Sequence, residues 1–176
     1  VAVPKIKIIK DEFFRQNNRH CNSLLDIGAG AGHIVCAAKS FGINAYGVEP
    51  SSVGRHSAKQ LFDIDLNDLD FINAEINESS LDMVTFFGVI EHTIDPSSYL
   101  IKARKLLKNE GMIFVEIPRH ESLTTILDSV FPDMGTRHLE GIEHIHCFSD
   151  SSIATLLTNC GLKPCFAYYL GLDWYE

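Results

Sequence analysis

"LLDIGAGAGH", residues 24–33, runs from a short apolar stretch into three glycines at every second position, Gly28, Gly30 and Gly32. Glycine adopts backbone angles that L side chains avoid, and it lets the main chain come close to a bound group. An apolar run ending in such a loop reads as a buried strand over 23–27, followed by a helix over 31–41. In open α/β sheets, ligands sit beyond the carboxyl ends of the strands, beside strand one. The loop therefore stands where a ligand would be.

Outward from it, strand-like and helix-like segments alternate. "NAYGVE" (44–49) is a second strand, and "PSSVGRHSAKQLF" (50–62) opens with the helix-entry residues Pro and Ser. "LDFIN" (69–73) and "LDMVTFFG" (81–88) read as strands by their β-branched and aromatic content. Tyr99, Leu100, Ala103, Leu106 and Leu107 recur at helical spacing, and residues 109–111 end that helix. "GMIFVEIP" (111–118) is a fifth strand. From Ser149, an N-cap type, Ile153, Leu156, Leu157 and Cys160 form an amphipathic helix ending at Gly161. "LKPCFAYYLGL" (162–172) reads as a sixth strand.

This alternation predicts one α/β domain, with a doubly wound, mostly parallel sheet and right-handed crossovers. Residues 1–20, with "IIKDEFFRQ", form an N-terminal helical cap, and 21–118 a cofactor-binding core. Residues 119–148 are a long excursion of the kind that serves function, read as a substrate lid, before the last helix and strand in 149–176. Leu123, Ile126, Leu127, Val130 and Phe131 give the lid an apolar helical face that either caps the pocket or forms a homodimer contact.

With 176 residues, 45% hydrophobic and 22% charged, the composition is that of a single globular domain. A net charge of −8 argues against a nucleic-acid or anionic-membrane surface, which needs clustered Lys and Arg. No apolar run approaches the roughly 20 residues that span a bilayer, and no secretory pattern opens the chain. Cys21, Cys36, Cys147, Cys160 and Cys165 show no CxxC spacing, so no disulfide or zinc knuckle is expected. The expected setting is cytoplasmic, away from nucleic acid and membrane.

The helix after the glycine loop offers free N–H groups and a positive dipole end to an anionic group. Glu49 ends strand two, where a carboxylate can accept both hydroxyls of a ribose. Dinucleotide binders use G-x-G-x-x-G; here the third glycine comes one residue early and His33 takes its place. Asp26 stands two residues before the loop, where it would repel a pyrophosphate and attract an ammonium. The ligand reads as an adenosine joined to an amino acid.

These segments resemble the class I S-adenosylmethionine-dependent methyltransferases. The likeness is carried by "LLDIGAGAGH", "GVEPS", "INAE", "LDMVTFFGVIEHTIDP" and "LLKNEGMIFVEIP", in that family's order and spacing. It covers about residues 22–118, and "EHIHCFS" with "LLTNCGLKP" extends it to about 165. The resemblance implies a Rossmann-like fold, S-adenosylmethionine as cofactor, and methyl transfer to an O, C or N atom of a small-molecule acceptor such as a sugar or quinone. It also implies a seventh strand, which a chain ending at Glu176 would lack or have lost to truncation. By the same likeness, Asp26, Gly28 and Gly30 hold the methionine end and Glu49 the ribose, with Ala29, Gly32 and Pro50 in the same cofactor-binding set. Asn73 and Ala74 flank the adenine, although that family usually places an Asp where Asn73 stands. Phe87, Gly88 and Val89 line the methyl-transfer side.

Methyl transfer is an in-line displacement that gains mostly from positioning, and a hydroxyl or carbon acceptor also gains from a general base. Half of the eight histidines lie between 120 and 146. "EHIHCFS" (143–149) is similar to a segment of sugar C-methyltransferases, which would make His144 a base with Glu143 orienting it or acting on the substrate. The plainer reading makes His144 and His146 structural, hydrogen-bonded beside a helix cap. Glu91 and His92 of "VIEHTIDP" match a motif that helps hold a divalent metal in ubiquinone-pathway O-methyltransferases. Those relatives have another acid where Gly88 stands, so no metal is expected. His138, Glu140, His144 and His146 lack regular metal spacing. Two other readings stay open: a nicotinamide-dependent oxidoreductase, and a cofactor-binding protein without catalysis.

Overall fold

The computed structural model describes residues 2–119 and 144–169. Helix α1 (Ala2–Asn17) leads into strand β1 (Ser23–Ile27), then α2 (His33–Ser40), β2 (Asn44–Val48) and α3 (Ser52–Phe62). Strand β3 (Leu81–Phe87) is followed by a 3-10 turn (Ile90–His92), α4 (Pro96–Leu106), β4 (Leu107–Glu116) and α5 (Asp150–Asn159). The four strands are parallel, in the order β2-β1-β3-β4. The chain leaves β1 toward β2 on one side and returns to β3 on the other. β1 is thus the switch point where open sheets bind ligands.

Helices cover both faces. Ile6, Ile9 and Phe13 of α1 and Val35, Ala37 and Ala38 of α2 pack with Leu24, Met83 and Phe114 on one side. Leu100, Ala103 and Leu106 of α4, with Ile153 and Leu156 of α5, cover Leu25, Val84 and Phe86 on the other. Helix starts follow their caps. The Ser51 hydroxyl accepts from Gly54 N, Asp95 from Ser98 N, and Ser149 and Ser152 form a reciprocal capping box.

Three sequence readings are corrected. Residues 69–73 form no strand. The Asp70 side chain accepts from Ile72 N at 3.2 Å and its carbonyl from Asn73 N and Ala74 N, which turns the backbone on itself as short polar side chains favour. Beside β2 the ladder is continued by Asn67, bridged to Val48. Second, β4 starts at Leu107, earlier than the expected 111, through a register irregularity after Leu81 that places Glu110 at φ +64°. Third, residues 162–169 carry no strand pairing. Pro164 there has no N–H to give a ladder, although Phe166 still stacks at 5.6 Å on Phe114. Residues 170–172 of the expected sixth strand, and lid residues 120–143, lie outside the described residues. All five cysteines are free thiols.

Candidate active site

Gly28 N and Ala29 N both donate to the Val48 carbonyl, at 2.9 and 3.0 Å, which folds the glycine loop over the end of β2. Gly28, Gly30 and Gly32 have φ of +68°, +53° and +77°. Their surroundings differ. A Cβ at Gly28 would lie 2.6 Å from Val89 Cγ2, and one at Gly32 3.0 Å from Ala58 Cβ. At Gly30 nothing lies within 4 Å. Gly28 and Gly32 thus pack the loop, while Gly30 faces open space.

Glu49 closes that space. One carboxylate oxygen accepts from Gly30 N and the other from Ser51 N, both at 2.7 Å, and the side chain is buried. Each oxygen keeps lone-pair capacity for a further donor. Pro50 follows directly, and Arg55 donates to the carbonyls of Glu49 and Pro50, fixing the bend. Gly54 belongs to this corner too: a Cβ there would lie 2.9 Å from both Glu49 Cγ and the Gly30 carbonyl. The sequence reading missed it. A glycine inside the first turn of a helix, where it weakens the helix, is the signal that a neighbour comes close.

Asp26 is buried on β1, and the Thr85 hydroxyl donates to it at 2.6 Å. Burial pushes its carboxyl up to about 7; the Thr85 bond opposes the rise, the Glu49 charge adds to it and the Lys5 ammonium opposes it. Thr85, a fully buried hydroxyl in an apolar strand, was also missed. Phe87 ends β3, and Gly88, at φ +67°, donates from its N–H to the Glu116 carbonyl. Asn73 donates to Asp70 at 2.6 Å through its amide nitrogen, leaving the amide oxygen as the acceptor suited to an amino group. Ala74 is buried, and Lys102 donates to the carbonyls of Ile72 and Ala74, holding that turn in place.

On the other side of the β3 loop, Ile145 N and His146 N both donate to the Glu91 carbonyl, at 2.9 and 3.0 Å. His146 Nε2 lies 3.0 Å from the Thr93 carbonyl, which can only accept, so this ring is a structural tie. The stitching brings the His144 ring 4.8 Å from that of His92. Glu91 is buried, and its Oε2 has no hydrogen-bond partner among the described residues. Burial raises its carboxyl above the usual range, against its own backbone N–H and the nearby His92 and His144. One donor atom from each of Glu91, His92 and His144 lies within 4.8 Å of the others, and such groups can hold a divalent ion. The expectation of no metal rests on Gly88; His144 brings a third donor from a different loop. A cleft of about 460 Å³ opens beside them between Ile72, His92, Ile94 and Tyr99. Glu143, the other catalytic candidate, lies outside the described residues.

A parallel doubly wound sheet with a left-handed glycine turn and a carboxylate hung across it defines a Rossmann-like domain. The chain belongs to the methyltransferase domain family, whose profile matches residues 6–165. It is similar to the ubiquinone biosynthesis O-methyltransferase of Rhodopseudomonas palustris (strain TIE-1), 29% identical over 123 residues, which are 63% of this chain and 49% of that protein. The corresponding protein of Bradyrhizobium diazoefficiens is 30% identical over 111 residues, 58% of this chain and 44% of that protein. The chain thus spans about half the length of the curated relatives it matches. Among solved structures, the plantazolicin methyltransferase BpumL in complex with SAH superposes with TM-score 0.69 at 20% identity, covering 88% of this chain and 61% of that one. A SAM-dependent methyltransferase from Archaeoglobus fulgidus gives TM-score 0.63 at 22% identity, covering 89% and 68%. The fold is theirs.

Proposed function

We propose that this domain is an enzyme that transfers a methyl group from S-adenosylmethionine to an O, C or N atom of a small-molecule acceptor. One observation carries the reading: Glu49 spans Gly30 N and Ser51 N beside the one loop glycine that faces open space. A ribose diol would meet the carboxylate there. In this reading Asp26, Gly28, Ala29, Gly30 and Gly32 hold the amino-acid end and its approach, and Glu49 and Pro50 the ribose. Asn73 and Ala74 flank the adenine, and Phe87, Gly88 and Val89 the transferring methyl. Bound there, the cofactor supplies an electrophilic methyl on a sulfonium. His144, beside Glu91 and His92, takes the acceptor's proton; Glu143, outside the described residues, is kept as the residue that orients it or acts on the substrate.

A role of residues 119–148 as substrate lid or homodimer contact, and a cytoplasmic location, belong to the same reading. No described helix is long and apolar enough to cross a membrane. Calorimetry with S-adenosylmethionine, S-adenosylhomocysteine and NAD tests the cofactor: the first two bind and NAD does not. Binding of NAD alone would favour the oxidoreductase. A radiolabelled-methyl screen over sugars and phenolic acceptors tests catalysis; tight cofactor binding without any turnover would favour a binding protein.

A further inference from the structure

The second half of α4 carries three basic residues, and they do not share one environment. Arg104 and Lys105 are exposed, whereas Lys102 is half-buried. The Lys102 ammonium donates to two main-chain carbonyls, that of Ile72 at 2.9 Å and that of Ala74 at 2.6 Å, and no carboxylate among the described residues pairs with it. It also lies 5.3 Å from the centre of the Phe71 ring. These contacts bracket Asn73. The Ile72 carbonyl and the Asn73 N–H belong to one planar peptide unit. Lys102 holds the carbonyl end of that unit, and the Asp70 carbonyl accepts from its N–H end at 3.0 Å. Phe71 anchors the turn in the core, edge-on to Phe86 at 6.1 Å. The Asn73 side chain is oriented in its turn by the Asp70 carboxylate, which can only accept and so takes the amide nitrogen at 2.6 Å. The amide oxygen remains as an acceptor on an exposed residue, next to Ile72 at the wall of the cleft shared with His92 and Tyr99. Such an acceptor suits an exocyclic amino group and repels a carbonyl oxygen.

We propose that Lys102 is the positioning residue of the base subsite. By holding the carbonyls on both sides of Asn73, it fixes the acceptor that separates a 6-amino purine from a 6-oxo purine. This rests on the cofactor reading above. Lys102 acts through the turn and not on the base. Its removal therefore loosens the choice of base, while the contacts made by the glycine loop and Glu49 stay in place.

The probes are S-adenosylhomocysteine and S-inosylhomocysteine, which carry a 6-amino and a 6-oxo purine on otherwise the same molecule. By calorimetry, the wild type should favour the first at least about tenfold, the scale of one mismatched polar contact. In Lys102→Met that preference should fall to about twofold or less, because an acceptor that must first be ordered adds little net hydrogen bonding. Most of the change should be weaker binding of the adenine ligand. Lys102→Arg, which can again donate to two carbonyls, should restore most of the preference. Equal losses for both ligands would return Lys102 to a structural role under the turn, and an unchanged preference would overturn the proposal. Should Lys102→Met not fold, Lys102→Gln, with a neutral donor in place of the ammonium, decides by the same ratio: a lowered preference supports the proposal and an unchanged one overturns it. A wild type that binds both ligands alike overturns it too, and one that binds neither sinks the cofactor reading itself.

Discussion

Two carboxylates end adjacent strands of this sheet and meet opposite surroundings. Glu49 has a backbone N–H on each oxygen. Asp26 has one hydroxyl and a buried, apolar setting. Removing Glu49 strips Gly30 N and Ser51 N of their acceptor and, in the proposed reading, the ribose of its own. Glu49→Ala should therefore lower cofactor affinity at least about tenfold, the loss of two charge-assisted bonds; unchanged affinity in calorimetry would take Glu49 out of the site. Asp26 makes stability depend on pH. Its carboxyl rises from 3.8 to about 7 on folding, so between those values the folded state holds a proton that the unfolded chain has released. Stability is then fully present at low pH and falls as pH rises through that window. Asp26→Asn removes the penalty. Its melting temperature should match the wild type near the bottom of the window and exceed it increasingly above, while cofactor affinity drops because the ammonium loses its counter-charge. A pH-independent difference in melting temperature would show that Asp26 is ionised throughout.

At the scale of elements, the glycine loop separates packing from binding. Gly30 is at φ +53° with no atom near a Cβ, so Gly30→Val strains one turn and fills ligand space without striking the core. Circular dichroism should stay native while cofactor binding is lost. At Gly28, pressed on Val89, the same change should unfold the loop. If Gly30→Val loses its helical signal as well, the loop glycine serves packing after all. This contrast depends on tertiary neighbours, which sets how much the sequence could say. β1, α2, β2, α3 and β3 were legible to within about two residues, the usual margin at element ends, because apolar runs and the Ser51 cap are local signals. The 69–73 segment misled because its apolar residues suggested a strand while Asp70 and Asn73 bond their own backbone. Glu49 and Gly30 could be read from the motif, since the loop and the end of β2 meet through one crossover. Lys102, Thr85 and the meeting of Glu91 with His144 could not. Each needs α4, a neighbouring strand or the 144–148 segment to arrive from far along the chain.

For the whole molecule, the end of the sheet opposite the site matters most. Asp82, fully buried at the start of β3, accepts from Arg19 at 2.8 Å, from Asn22 N at 2.9 Å, and from Ser23 N and its hydroxyl at 3.1 Å. Lys108 of β4 adds a contact at 3.2 Å. One carboxylate thus joins the α1–β1 connection, β1, β3 and β4, and Arg19 also stacks 4.8 Å over Phe13 of α1. Burial disfavours its charge, but Arg19, Asn22 N, Lys108 and Ser23 outweigh that and bring the carboxyl down to about 2. The sign is the reverse of Asp26: this stability is present above the ordinary value of 3.8 and is lost as pH falls toward 2. Asp82→Asn leaves two partly exposed cations facing a neutral amide and should cost about 2 kcal/mol near neutral pH, the scale of a shift from 3.8 to about 2. The gap to wild type should narrow in denaturant titrations as pH falls from about 4 toward 2, where the unfolded chain's carboxylate takes up a proton before the folded one does. Because Asp82 sits at the amino ends of the strands, the folded variant should bind cofactor as the wild type does. An undiminished gap at low pH would mean that shape, rather than charge, holds this corner, and a loss of cofactor affinity would mean that the two ends of the sheet are coupled through α1.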